Sequence, residues 1–439
     1  MDKQEVLRLV QEREVRFVRL WFTDILGFLK SFTITVDELE GALEDGMGFD
    51  GSSVEGFARI DESDMVALPD PSTFQILPWR SVEIGVARMF CDILLPGGQP
   101  FEGDPRYVLK KNLRRAADLG YTFYVGPELE YFYFEDSQST KPLDEGGYFD
   151  LTPPDVASGL RTETVVALEE LGIKAEYSHH EVAPSQHEID LKYADALTMA
   201  DNVMTYRLVV KEVAMKHGYY ATFTPKPIFG VNGSGMHVHQ SLFRGERNAF
   251  FDKGDEHHLS KIARHYIAGL LRHAPEITAV TCQWVNSYKR LIPGYEAPVY
   301  ITWARRNRSD LVRVPEYKPG KENDTRVEFR SPDPACNPYL AFSVMLAAGL
   351  AGMEKEYELP EPVEENVFAM SEKEREARGV GILPGSLWEA SQITKGSELV
   401  RGCLGGHVFE SFIKNKEIEW NNYRSQVTDY ELKRYLPIL

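Results

Sequence analysis

The segment YTFYVGPELEYFYF (residues 121–134) has the aromatic and β-branched make-up of a strand, with two carboxylates set into it. Residues two apart in a strand face one side, so Glu128 and Glu130 project together, and Phe132 and Phe134 continue the same face. An arbitrary Glu-x-Glu pair ordinarily marks a solvent-facing sheet edge. In surroundings this apolar, two like charges are costly unless a cation lies between them.

Other segments repeat the theme. HHEVAPSQHEID (179–190) places Glu181 and Glu188 near the two ends of one short stretch. NGSGMHVHQSL (232–242) puts His237, His239 and Ser241 on one strand face after a glycine turn, and RVEFRSPDP (326–334) alternates Arg326, Glu328 and Arg330 with Val327 and Phe329. A single histidine on such a face is commonly a satisfied core residue. Several strands each projecting carboxylate, imidazole or guanidinium are harder to explain as packing. Five glutamates and a histidine with no thiolate suit Mg²⁺ or Mn²⁺, and six protein ligands suffice for two ions that keep some water. Two divalent ions beside arginines such as Arg290, Arg305, Arg306, Arg308 and Arg313 are equipment for phosphoryl transfer. Neither a Walker A sequence nor a kinase-type glycine loop is present.

Outward from these motifs the chain divides near residue 100. Residues 2–14 read as a helix; VRFVRLWF (15–22) and GFLKSFTIT (27–35) flank the turn at 23–27 as an antiparallel hairpin, followed by a helix capped at Asp37. A strand group at 81–95 ends in the Gly/Pro cluster 96–100, after which Asp104 and Pro105 open a helix in the N-cap and N1 positions. Residues 1–100 are therefore expected as a small β-rich domain and 101–439 as a second one. The second domain is expected to hold a helix at 155–171, a strand near 173–190, a long helix at 192–217, strands at 219–243, and mainly helix from 337 onward. The apolar run Ala341–Met353 is read as a buried helix, being shorter than the roughly 20 residues a membrane span requires.

Composition sets the outer limits. The chain has 439 residues, 43% of them hydrophobic, and a formal net charge of -18, so a sizeable core is affordable and general affinity for nucleic acid or an anionic membrane is not expected. The N-terminal stretch is charged at nearly every turn and does not read as a signal peptide. Cys91, Cys282, Cys336 and Cys403 show no metal or disulfide spacing, which points to a reducing cytoplasm.

Seven motifs in order, DGSSVEGF (50–57), GPELEYF (126–132), HHEVAPSQHEI (179–189), NGSGMHVHQSL (232–242), NSYKRLIPGYEAP (286–298), ARRNRS (304–309) and RVEFRSPDPACNPYLAF (326–342), resemble glutamine synthetase of type I. The resemblance implies an α+β fold: a β-grasp N-terminal domain and a catalytic domain whose curved antiparallel sheet, flanked by helices, lines a funnel. It implies ligation of ammonia to L-glutamate with ATP, through a γ-glutamyl phosphate, in a homo-dodecamer of two hexameric rings with active sites between subunits. Carried over by position, one metal falls to Glu130, Glu181 and Glu188 and the other to Glu128, His237 and Glu328. His239, Ser241, Glu176 and Arg313 match nucleotide-binding positions. Asn232, Gly233, Arg290 and Arg330 match the glutamate subsite, and Arg308, with Arg326 close by, matches the transferred phosphate. Glu296 matches a mobile flap. Asp50, from a neighbouring subunit, matches the ammonium-binding proton acceptor, with Ser53 and Tyr148 nearby.

Subtype features follow the same resemblance. Phe368 stands where longer relatives carry an adenylylated tyrosine, so the shorter, non-adenylylated subtype is expected, and Arg59 matches an arginine tied to feedback inhibition by glutamine. The tail NNYRSQVTDYELKRYLPIL (421–439) is expected to help join the rings and is a candidate contact for a regulatory protein. The residues leave two rivals: a ligase joining glutamate to a polyamine or other amine on the same scaffold, and a non-catalytic relative that keeps only the assembly.

Overall fold

The computed structural model describes residues 1–56, 64–79, 85–295, 297–307 and 309–439. The N-terminal part runs α1 (Lys3–Glu12), β1 (Val15–Thr23), β2 (Leu29–Thr35), α2 (Leu39–Asp45), β3 (Met47–Asp50), β4 (Asp64–Pro69), β5 (Gln75–Ile76) and β6 (Gly85–Leu94). Asp2 caps α1 by accepting from Glu5 N at 2.9 Å, and Val6 and Val10, one turn apart, bury its inner face. The strands form a sheet in the order β2-β1-β6-β4-β3 with β5 also on β6. β1 and β6 are parallel, which a two-residue turn cannot join; the whole intervening segment makes the crossover.

The hairpin of β1 and β2 turns where the sequence placed it. Asp24 Oδ1 accepts from Leu26 N (3.0 Å) and Phe28 N (2.8 Å), and Gly27 takes a φ of 83°. Distant residues complete the turn: Asn337 Nδ2 donates to the carbonyls of Asp24 (3.1 Å) and Ile25 (3.3 Å), and Gln283 Nε2 to that of Leu26 (2.6 Å). The cap expected at Asp37 does not form. Asp37 lies inside a 3₁₀ turn, Val36–Glu38, whose helical backbone denies it the extended conformation an N-cap needs, and α2 begins at Leu39.

Beyond the Gly/Pro turn come α3 (Pro105–Asp118), β7 (Thr122–Phe134), α4 (Ser158–Glu170), β8 (Ala175–His180), β9 (Gln186–Leu191), β10 (Ala194–Asp195), α5 (Ala196–Lys216), β11 (Tyr220–Thr222), β12 (Met236–Arg244) and β13 (Arg247–Asn248). The chain continues with α6 (Lys261–Thr281), α7 (Ser287–Arg290), β14 (Tyr300–Ala304), β15 (Asp310–Arg313), β16 (Val327–Phe329), α8 (Pro338–Glu354), α9 (Glu372–Ala377), β17 (Gly381–Ile382), α10 (Leu387–Lys395), α11 (Glu398–Leu404), α12 (Gly406–Arg424) and α13 (Asp429–Tyr435). Asp104 and Pro105 start α3 as expected, with Asp104 Oδ1 accepting from Arg106 N at 2.9 Å.

The second sheet orders as β17-β14-β15-β16-β12-β7-β9-β8, with β10 and β11 also on β7 and β13 on β12. It is antiparallel except for the parallel pair β14 and β15. The single strand expected near 173–190 is two strands, because Pro184-Ser185 breaks it with a turn in which Ser185 takes a φ of 57°. Along β7 the odd residues Leu129, Tyr131 and Tyr133 enter the main core. The even face divides: Glu128 and Glu130 line a cavity, while Phe132 and Phe134 form a small cluster with Ala183. α8 is buried from Pro338 to Gly352, and it meets α6 backbone to backbone. A Cβ on Gly269 would lie 2.2 Å from Ala348 O, and one on Gly352 2.1 Å from His265 O. No helix among the described residues is long and apolar enough to cross a membrane.

Candidate active site

Strand register assembles the site. Across β7 and β9, Glu130 lies opposite Glu188; across β7 and β12, Glu128 lies opposite His237; across β12 and β16, His239 lies opposite Glu328; and across β15 and β16, Arg313 lies opposite Glu328. Directly opposed residues on one face have Cβ atoms about 4.5–5.5 Å apart, so five strands converge acidic, imidazole and guanidinium groups on one cavity. Its volume is about 260 Å³, and Glu128, Glu130, Glu181, Glu188, His237 and Glu328 all line it. Tyr148, Asn232, Gly233, Arg290, Arg313 and Arg330 complete the wall on the remaining sides.

The two sides of the cavity differ in charge. On the β12/β16 side, Glu128 Oε1 meets His239 Nε2 at 2.7 Å and Oε2 meets His237 Nδ1 at 3.3 Å. Glu328 accepts from Arg313 Nη1 at 2.8 Å and from Arg330. Burial raises the Glu328 carboxyl, but Arg330 and the two histidines outweigh it and hold it down at about 2. Burial likewise opposes ionisation of Glu128, and His239 and His237 pull it well below the carboxylate range.

On the β8/β9 side the hydrogen-bond partners of Glu130 are neutral, and the pull of Arg290 and Arg330 on its carboxyl is outweighed by burial and Glu181. Glu130 Oε2 accepts from Gln186 Nε2 (2.8 Å) and Gly235 N (3.0 Å), yet burial and then Glu181 push it up to about 8. Burial followed by Asp190, Glu130 and Glu128 drives Glu188 well up, and burial with Glu128 lifts Asp190 to about 7. His179 stands between them, 3.3 Å from Glu188 and 3.6 Å from Glu181. Carboxylates this crowded fit a hard divalent cation, which supplies the missing positive charge through oxygen ligands. Among the described residues, ligand atoms of Glu128, His239 and Glu328 lie within 4.8 Å of one another, as do those of His179, Glu188 and Asp190. His239 joins His237, itself 3.3 Å from Glu128 and 3.8 Å from Glu328, beside that pair, and His179 and Asp190 join Glu188.

Glycine makes room for the guanidinium on the upper wall. A Cβ on Gly235 would lie 2.6 Å from Arg290 Nη2, and one on Gly233 would lie 2.3 Å from Pro225 O. Arg290 itself is buried and held by the carbonyls of Ser331 (2.7 Å), Pro332 (3.2 Å) and Arg330 (3.2 Å).

Other expected residues lie elsewhere. His239 Nδ1 accepts from Arg326 Nε at 3.2 Å, and Ser241 follows on the same face of β12; neither Arg326 nor Ser241 lines the cavity. Glu176 is exposed on β8. Asp50 ends β3 with its carboxylate accepting from Ser52 N at 2.9 Å, Ser53 lies in the following turn, and neither lines this chain's own cavity. Glu296, Arg308 and Arg59 lie outside the described residues. Sequence reasoning passed over Gln186, His179 and Asp190. The period-two signal was present: Gln186 and Asp190 flank Glu188 at i±2, and His179 lies opposite Glu188.

Family comparison agrees with this geometry. Residues 102–435 match the family model described as "Glutamine synthetase, catalytic domain" and residues 14–96 the one described as "Glutamine synthetase, beta-Grasp domain". The chain belongs to the glutamine synthetase family. It is 56% identical to the glutamine synthetase of Mycolicibacterium smegmatis, with all of both chains covered. It is 53% identical to that of Methanosarcina mazei (100% and 98% covered) and 50% to that of Thermotoga maritima (99% and 100%). Among solved structures it resembles one titled "GmaS/ADP complex-Conformation 1", with a TM-score of 0.90, 31% identity, and 98% and 99% of the two chains covered. The chain is a ligase that makes glutamine from glutamate and ammonia at the expense of ATP, and its family uses divalent metal.

Proposed function

We propose that the cavity holds two divalent ions, Mg²⁺ or Mn²⁺, one on Glu130, Glu181 and Glu188 and the other on Glu128, His237 and Glu328. The observation that carries this reading is the in-register meeting of these carboxylates, one side balanced by arginine and histidine and the other crowded beyond what nearby cations offset. Held by these residues, the ions would supply the positive charge that offsets the phosphoryl group's charge during transfer. Arg290, Arg330, Asn232 and Gly233 hold glutamate, the guanidinium groups answering its carboxylates. ATP lies along His239, Ser241, Arg313, Arg326 and Glu176, with Arg308 at the transferred phosphate.

In the first step a γ-carboxylate oxygen of glutamate forms a bond to the terminal phosphorus of ATP, and ADP leaves with the electrons of the broken P–O bond. In the second step ammonium gives a proton to Asp50 of a neighbouring subunit, close to Ser53 and Tyr148. The freed lone pair attacks the acyl carbon, the C–O bond to phosphate breaks, and the nitrogen's surplus proton leaves with the departing phosphate. Glu296 closes the glutamate entrance and keeps water from the acyl phosphate. That Asp50 and Ser53 lie away from their own chain's cavity supports a site shared between subunits, as in a dodecamer of two hexameric rings. Residues 1–100 would then supply the shared edge and 101–439 the cavity. The enzyme is assigned to the cytoplasm and to the non-adenylylated subtype, with feedback inhibition by glutamine through Arg59. Phosphate release from ATP with glutamate, comparing ammonium against putrescine and ethanolamine, tests the reading: ammonium dependence is expected, and equal rates with a polyamine or with no amine overturn it.

A further inference from the structure

Behind the β8/β9 wall lies a second buried cluster that takes no part in the roles above. His180 and His187 are directly paired across β8 and β9. Each immediately precedes a cavity carboxylate, Glu181 or Glu188, so alternation turns the two imidazoles away from the cavity as the carboxylates turn toward it. Asp144, buried in the segment that leads to Tyr148, closes this back face. Its Oδ1 accepts from His180 Nε2 (2.9 Å), Ser185 N (2.9 Å) and Gly146 N (3.3 Å).

The remaining contacts knit the same pieces. Ser185 Oγ accepts from Leu143 N and from Asp144 N (3.2 Å), while its carbonyl accepts from Tyr133 N (3.1 Å) on β7. Phe149 N donates to His180 O at 3.1 Å, and His180 Nδ1 lies 2.7 Å from Glu181 O. Gly146 packs so closely that a Cβ there would sit 2.6 Å from His180 Nε2. On the far side Asp155 receives both terminal nitrogens of Arg161, at 3.1 and 2.6 Å, and Arg161 Nη1 lies 2.8 Å from His187 Nδ1. Ligand atoms of Asp144, His180 and His187 lie within 4.8 Å of one another. The Arg161 guanidinium against His187 makes this a poor seat for another cation, and its role is mechanical.

We propose that Asp144 is a positioning residue: it clasps the 143–149 segment carrying Tyr148 to the turn carrying Glu181, and so sets the metal-ligating carboxylates and the ammonium-side tyrosine in one geometry. The inference rests on the metal reading given above. Asp144 touches His180 and Ser185 but no residue of the ATP set, so loss of the clasp separates the substrates kinetically. In Asp144→Ala, Mn²⁺ affinity, read by the paramagnetic resonance of free Mn²⁺ without substrates, falls about tenfold, as for other groups that orient metal ligands. The KM for ammonium rises in parallel and that for ATP stays within about twofold. Asp144→Asn, which keeps an acceptor for Ser185 N, recovers part of both losses. Gly146→Ala, which presses on His180 while leaving Asp144 in place, shifts the same two quantities in the same direction. Unchanged Mn²⁺ binding in folded Asp144→Ala, or equal rises of all KM values, overturns the clasp. Failure of the unsubstituted enzyme to bind Mn²⁺ overturns the metal reading instead.

Discussion

Two buried charge clusters in this molecule contain similar groups and reach opposite balances. Around Arg106 of α3, its Nη2 binds Asp70 (2.8 Å) and Asp201 (3.0 Å), its Nη1 binds Asp92 (2.6 Å), Lys110 adds a second cation on Asp92, and Tyr339 donates to Asp201 at 2.6 Å. Despite burial, which alone would lower it, Asp201 and Asp92 drive the Arg106 pKa further up, and Asp70 is held below its ordinary range against burial by the same guanidinium. The cluster ties the N-terminal sheet, through Asp92 of β6, to the helices α3, α5 and α8. In the cavity, Glu130 and Asp190 are instead pushed up to about 8 and 7. Charge left without a partner in a folded protein marks the place where a ligand must bring one.

The largest effect that would break this contrast is catalytic. Glu130→Ala is expected to cut glutamine synthesis about 10³-fold or more, since the metal's share of transition-state stabilisation is several kcal/mol. It should leave the metal-free protein at least as thermostable. A clear fall in the metal-free melting temperature would place Glu130 in the scaffold class. Next comes Arg106→Ala, which strands Asp70 and Asp201, leaves Asp92 to Lys110 alone, and should cost about 3–5 kcal/mol in denaturant unfolding. The edge substitution Lys110→Ala should cost only about 1 kcal/mol or less; similar costs for both would show that Arg106 is not the centre of its network.

The smallest effect is a pH dependence. Glu130, raised in the folded state, is protonated when folded at pH values where the unfolded chain has released the proton. Metal-free stability from this group is therefore present below about pH 4.5 and is lost as pH rises toward 8. Asp104, also raised to about 7, contributes in the same direction but is indifferent to metal. The discriminating quantity is thus the melting-temperature gain from Mn²⁺, which should grow between pH 5.5 and 8. A gain that is flat over this range would remove the uncompensated carboxylates from the metal site.

What the sequence disclosed follows from the range of each interaction. The alternation in 121–134 exposed the acidic face of β7 because period two is local, and Asp104-Pro105 marked α3 for the same reason. The break between β8 and β9 was readable at Pro184-Ser185, a turn pair in the middle of 173–190. The Arg106 cluster could not be read, since Arg106 and Asp201 are 95 residues apart and no spacing announces their meeting. The same holds for Asp144, which reaches His180 across 36 residues.

The hairpin turn at 24–27 has a consequence for biosynthesis. The donor that Asn337 provides to Asp24 comes 313 residues later in the chain, so the growing polypeptide exposes this turn, with its carbonyls dependent on water, long before their permanent partners are translated. The N-terminal sheet can collapse early, as first-made domains generally do, but its attachment is deferred until α8 has emerged. A ribosome-bound chain ending before residue 337 should therefore hold a formed hairpin whose Asp24 and Ile25 carbonyls are still hydrated, and release of the full chain should replace that water with the Asn337 amide, read as a shift of the two carbonyl-carbon resonances.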